Sequence, residues 1–125
     1  MACARKEIVA FSGRWKLPPE LESTQYFKVV QSRLPTWQPP VRILWEQLLQ
    51  PPAVLKERLD LLHSLSYVQP LLCPVRSVVT MLDLSFLRMP DTFNRWNRTY
   101  LAIMARISAK LCARIITISE STRRD

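Results

Sequence analysis

Ser77-Val-Val-Thr-Met-Leu-Asp83 and Arg114-Ile-Ile-Thr-Ile-Ser-Glu120 are two short apolar runs, each closed by an acid, with a long amphipathic segment from Phe93 to Ala113 between them. Both runs are apolar almost throughout rather than alternating, the pattern of strands in a parallel sheet covered by helices on both faces. The spacer is long enough for the crossover helix that a parallel connection requires, so the unit reads strand, helix, strand. Within the spacer, Tyr100, Ile103, Met104, Ile107 and Leu111 recur at three-and-four spacing, while Arg95, Arg98, Arg106 and Lys110 fall largely elsewhere. Asp91, Thr92 or Asn94 can cap its start.

Upstream, Asp60-Leu-Leu-His63-Ser64 is a third apolar run with a polar end, expected beside the strand from Ser77 to Leu82. The connection from Leu65 to Arg76, broken by Pro70 and Pro74, is too short for a conventional crossover helix. It is either a compact parallel connection or a local departure in topology. Val41 to Leu49 and Ala53 to Leu59 have helical spacing on either side of Pro51-Pro52, giving two short helices or one kinked helix. Glu7 to Phe11 reads as a short strand followed by a Ser12-Gly13-Arg14 turn. Trp15 to Pro40 is punctuated by prolines and reads as mostly irregular, with a short helix or strand around Tyr26 to Val30.

Composition bounds these elements. In 125 residues, 48% hydrophobic and 22% charged, there is material for one ordinary core. Gly13 is the only glycine, where about nine would be usual at a frequency of roughly 7%. The Gly-rich first turn of a nucleotide-binding half is therefore missing or replaced. The formal charge of +8 favours an anionic partner: nucleic acid, an acidic membrane surface or a phosphorylated ligand. Nucleic acid has only charge in its favour, because no recognition helix, zinc spacing or aromatic sheet motif accompanies it. Cys3, Cys73 and Cys112 are odd in number and far apart, which fits reduced thiols in the cytoplasm rather than a disulfide framework or a metal site. No run is long and apolar enough to read as a signal peptide or a membrane span.

In open α/β sheets, ligands bind outside the carboxyl ends of the strands, so Asp83-Leu84-Ser85 and Ser119-Glu120-Ser121 are where chemistry is sought. Asp83 can accept a hydrogen bond from a substrate hydroxyl, or cap the turn that follows it. Ser119 and Glu120 can face an anion at a helix start, or serve as simple N-terminal caps. His63, the only histidine, reads as a ligand or as a packed structural residue. Trp45 and Trp96 read as packing residues, and the basic helix face as a solvated surface or a contact with acidic lipid.

The run Val78-Val79-Thr80-Met81-Leu82-Asp83-Leu84-Ser85-Phe86-Leu87-Arg88-Met89-Pro90-Asp91-Thr92-Phe93, then a Tyr-bearing helix, then Ala113-Arg114-Ile115-Ile116-Thr117-Ile118-Ser119-Glu120-Ser121-Thr122-Arg123-Arg124-Asp125, resembles the amino-terminal domain of family 4 glycosyltransferases. Arg42-Ile43-Leu44-Trp45-Glu46-Gln47 and Asp60 to Ser64 extend the resemblance upstream, so that it covers roughly residues 41 to 125. It implies the GT-B fold, in which two Rossmann-like domains face a cleft, the first holding the acceptor and the second a nucleotide-sugar donor. It also implies retaining, metal-independent sugar transfer with no cofactor beyond the donor co-substrate. On this basis Asp83 is the candidate catalytic residue, and His63, Ser85, Ser119 and Glu120 are candidates for acceptor binding.

Two departures qualify the resemblance. The family usually has histidine before the Asp that closes the middle strand, where this chain has Leu82, and these residues contain no donor domain. The expected organisation is an irregular Pro-rich segment over 1–40 and an incomplete Rossmann-like three-layer domain with a parallel sheet over 41–125. Such a piece is expected not to transfer sugar alone. Its partners would be an acceptor sugar or lipid-linked glycan, with peripheral contact at the inner face of an acidic membrane and self-association through an uncovered face of the last strand. The alternatives are a non-catalytic interaction module and a basic anion- or nucleic-acid-binding domain.

Overall fold

The computed structural model describes residues 7–13, 18–22, 25–89 and 94–124. The chain is mixed α/β with two parallel sheets, and it divides into two compact units, Met1–Trp45 and Glu46–Asp125. Composition led us to expect a single core. The Pro-rich first part forms a unit by its contacts, but all the buried hydrophobic side chains among the described residues lie in the second, so one core is seen, as expected.

In the first unit, β1 (Ile8–Ser12) pairs in parallel with β2 (Phe27–Gln31), with Ile8 opposite Phe27 and Ser12 opposite Gln31. A short helix, α1 (Pro19–Glu22), lies between them in sequence. Both strands lie where the sequence reading places them, and of Trp15 to Pro40 the described residues hold only α1, β2 and the first two residues of a helix that starts at Pro39, the remainder of the described ones being irregular as read. Proline restricts helices locally, whereas strand order here comes from hydrogen bonds to a distant segment, which local propensity does not report. The lone glycine has a steric reason: a Cβ at Gly13 would lie 2.5 Å from Thr36 Oγ1.

α2 (Pro39–Leu44) opens with its prolines in the first turn, where missing N–H groups cost nothing, and leads into a π-helical turn (Trp45–Leu49) and then α3 (Gln50–Lys56). Pro51 and Pro52 cannot donate to the carbonyls of Gln47 and Leu48, and their rings crowd those groups. The chain widens into a π turn there instead of breaking, so the Pro-Pro pair interrupts one helical run.

The second unit is built on a three-stranded parallel sheet in the order β3 (Leu61–Ser64), β4 (Arg76–Met81), β5 (Arg114–Thr117). Leu61 stands opposite Arg76, and Val78 opposite Arg114. This is the order and direction expected from the apolar runs. β4 is central, and Ser77, Val79, Thr80 and Met81 are buried in it.

A four-residue helix, α4 (Ser85–Arg88), follows β4, and α5 (Arg95–Leu111) makes the crossover to β5, capped by Asn94 Oδ1 accepting from the Trp96 N–H at 3.2 Å. Asp91 and Thr92, the other expected caps, lie outside the described residues. A last helix, α6 (Glu120–Arg124), begins three residues after β5.

The face of α5 that packs inward overlaps in part with the apolar stripe read from its spacing: Met104 is buried, Tyr100 and Ile107 are half-buried, and Ile103 and Leu111 are exposed. Val79, Met81, Phe86 and Ala105 form the core, with Leu101, Ala102, Ala109 and Cys112 packed around them. Ser108 is also buried. Small side chains make up much of this face beside Met104 and Leu101, and Ile103 (53% exposed) and Leu111 (54%) are left in solvent. Ile115, Ile116 and Ile118 of the last strand and its end are also exposed.

The connection between β3 and β4 has no helix. Instead Gln47 bridges it, its Nε2 donating to the Gln69 carbonyl at 3.2 Å and its Oε1 accepting from the Leu71 N–H at 2.9 Å. The Gln69 N–H donates to Ser108 Oγ at 3.1 Å, and the Tyr67 N–H to the Thr80 carbonyl at 3.1 Å. Gln69 and Pro70 are buried.

Phe86 (1% exposed) is the largest fully buried side chain. Phe86→Ala is expected to destabilise the second unit by about 3–5 kcal/mol, whereas Trp96→Ala, at a side chain 73% exposed, shifts stability by less than about 0.5 kcal/mol. Urea unfolding followed by far-UV circular dichroism distinguishes the two.

Candidate functional site

The carboxyl ends of β4 and β5 lie side by side, because Met81 is opposite Thr117 in the register. Beyond β4, the Asp83 carboxylate accepts through Oδ1 from both the Ser85 N–H, at 2.9 Å, and the Ser85 hydroxyl. The aspartate thereby turns the chain into α4. These bonds hold its carboxyl below the usual aspartate range, the Ser85 hydroxyl being the largest cause and the Ser85 amide the next. Asp83 is therefore a carboxylate at neutral pH, suited to accept a hydroxyl proton in a hydrogen bond and unsuited to act as a general acid.

Beyond β5, Ser119 Oγ accepts from the Thr122 N–H at 3.1 Å and lies 2.9 Å from Thr122 Oγ1, the N-cap geometry for α6. Thr122 Oγ1 also donates to the Leu82 carbonyl at 3.5 Å. This bond ties the tip of β5 to the tip of β4. Glu120 faces its own helix, with carboxylate oxygens 3.4 Å from Arg123 Nη1 and 3.8 Å from Arg124 Nε.

His63 lies on β3, its Nε2 2.8 Å from Thr80 Oγ1. It shares a sheet face with Thr80, one residue before the end of β4, since paired residues of neighbouring strands point to the same side. The structure thus brings Asp83, Ser85 and Ser119 to adjoining strand tips, anchors His63 within the sheet just below them, and pairs Glu120 with arginines. Leu82, in the position where the resembling family has histidine, is exposed and has no titratable group.

Tyr67 was not apparent as a site residue from the sequence. Its hydroxyl accepts from the Asp83 N–H at 3.3 Å, and its ring meets Phe86 edge-on, with centroids 5.4 Å apart and planes at 83°. Burial, the largest cause, raises its pKa above the ordinary tyrosine value. Tyr67 has φ of 47°, a left-handed conformation that an aromatic residue adopts at a cost of about 1–2 kcal/mol. Packing against Phe86 and the Asp83 bond offset that strain. A tyrosine in a Pro-broken connecting loop carries no motif that would have marked it.

Trp45, read as a packing residue, does pack edge-on against Phe11, at 5.7 Å between centroids. Trp96, read the same way, is exposed. Among the described residues, no group of three or more His, Cys, Asp or Glu side chains could hold a metal ion, and no helix is long and apolar enough to cross a membrane. No family model, curated protein or solved structure matches the chain.

Ser85→Ala is expected to raise the Asp83 carboxyl toward the ordinary aspartate value, read from its side-chain carbon shift in a pH titration. Because the native pKa is depressed, Asp83 contributes stability above its unfolded pKa that is lost as pH falls through the native one. The variant should show a smaller loss of stability over that acidic interval.

Proposed function

We propose that this chain forms the acceptor side of a GT-B glycosyltransferase of family 4, a partial Rossmann-like domain that offers a sugar acceptor to a nucleotide-sugar donor held by a second domain. The observation that carries the reading is the joining of two polar tips, Asp83-Leu84-Ser85 and Ser119–Thr122, at the carboxyl ends of adjacent parallel strands. The resembling motifs fall on these tips.

In this reading Asp83 orients the acceptor. Ser85 occupies Oδ1, and Oδ2 accepts the hydrogen bond of an acceptor hydroxyl, turning that oxygen toward the donor carbon. Tyr67 holds the Asp83 backbone, and Ser119 with Thr122 fixes the neighbouring wall. His63 buttresses the sheet through Thr80 and leaves direct contact to the tips. Leu82 supplies no imidazole, so the acceptor side contributes position and a fixed negative charge. Free thiols at Cys73 and Cys112 support a reducing, cytoplasmic setting.

A second reading, favoured by Leu82, is an interaction module that keeps the fold without the chemistry. Saturation-transfer NMR of the full 125-residue chain with a panel of oligosaccharides separates the two. Glycan binding that weakens about tenfold or more in Asp83→Asn is expected, as for loss of a charge-assisted hydrogen bond, together with no sugar transfer from any nucleotide sugar by the chain alone. Absence of glycan binding, or binding indifferent to Asp83→Asn, favours the interaction module. Turnover by the purified chain overturns the division of labour between two domains.

A further inference from the structure

We propose that the outer edge of β2 is the contact through which two copies of this chain pair, the two β2 strands joining antiparallel to make one four-stranded sheet. The two bonds that bracket the β1–β2 ladder fix which way each backbone group points. The Ile8 N–H donates to the Tyr26 carbonyl and the Ser32 N–H to the Ser12 carbonyl, each at 2.8 Å. Ile8 stands opposite Phe27 and Ser12 opposite Gln31. Parallel bonds are evenly spaced at alternate residues, so Lys28 and Val30 turn their N–H and C=O groups toward β1. Phe27, Val29 and Gln31 turn theirs to the other edge. Among the described residues no third strand lies there. The same three residues, with Lys28, line an open cavity of about 470 Å³, which leaves the edge within reach of another backbone.

An open edge of this kind is a template for a further strand, and two strands by themselves make a marginal sheet. The residues of β2 select the strand that fits. Antiparallel pairing about a two-fold axis at Val29 sets Val29 against Val29 of the other copy, Phe27 against Gln31 and Lys28 against Val30. Val29 then exchanges both of its outward bonds with its counterpart. No cation meets a cation in this register, although each chain carries a formal charge of +8. An axis at Lys28 sets lysine against lysine and presents backbone groups that β1 already uses, so the register at Val29 is the one the strand specifies. The edge lies in the first unit and shares no residue with the exposed face of β5 or with the strand tips. It is therefore independent of the glycosyl-transfer reading.

The test is sedimentation equilibrium of the full chain over a range of concentrations. A monomer–dimer equilibrium is expected, with backbone amide exchange at Val29 slowed as the dimer fills. Val29→Pro should weaken the dimer about thirtyfold, because each copy loses one central N–H donor, two bonds in all. The substitution spares the β1–β2 ladder, since that N–H faces away from β1. If circular dichroism shows Val29→Pro misfolded, Val29→Lys and Val29→Glu serve in its place. Each alone should be monomeric where the parent is dimeric, and an equimolar mixture should recover the dimer, because position 29 of one copy faces position 29 of the other. The proposal is overturned by a chain that stays monomeric throughout, by a dimer that the Val29 variants leave unchanged, or by a dimer lost in Ile116→Asp and kept in Val29→Pro, which places the contact on β5.

Discussion

A strand that runs parallel to its neighbour must be reached by a segment that travels back the length of the sheet, and that segment's backbone polar groups must be satisfied on the way. The second unit meets this constraint twice. Between β4 and β5 the return is α5, whose hydrogen bonds are internal. Between β3 and β4 the return is an irregular segment, satisfied by side chains: Gln47 bridges Gln69 and Leu71, and Ser108 accepts from Gln69. The buried Ser108 thus ties the irregular crossover to the helical one.

That arrangement explains where the polar groups of the site come from. The segment that returns from β3 brings Tyr67 past the end of β4, where its amide meets the Thr80 carbonyl and its hydroxyl meets the Asp83 amide. Phe86, buried in the core, carries the ring of Tyr67 on one edge. Core packing and site geometry are therefore coupled through one aromatic pair: a substitution that loosens Phe86 also frees the support of Asp83. Strain at Tyr67 is sustained because three separate interactions hold the residue.

The small-residue face of α5 has consequences on both sides of the helix. Inward, Ala102, Ala105, Ser108 and Ala109 allow close approach to the sheet. Outward, Ile103 and Trp96 share a sector with Arg95, Arg106 and Lys110, while Met104 of the same apolar period stays buried. The amphipathic character of the segment is real, but its polarity runs between a small-residue face and a mixed basic and apolar face.

The sequence by itself determined the strands, their parallel order and the crossover helix, because apolar runs of strand length, polar run ends and a helical period are local signals. It also marked Asp83, Ser85 and Ser119, since strand ends in such sheets present polar residues to ligands. Tertiary structure decided what depends on distant partners. The pairing of β1 with β2 comes from hydrogen bonds between segments separated by a proline-rich stretch. Tyr67 and Thr122 gained their places through contacts with Asp83 and Leu82, which no spacing encodes. Which residues of α5 face the core most fully was decided by packing against β4 and Phe86, which buries Met104 of the apolar period together with Ala105 and Ser108 and leaves Ile103 and Leu111 exposed, a matter of side-chain volume against a particular surface that the period alone does not carry.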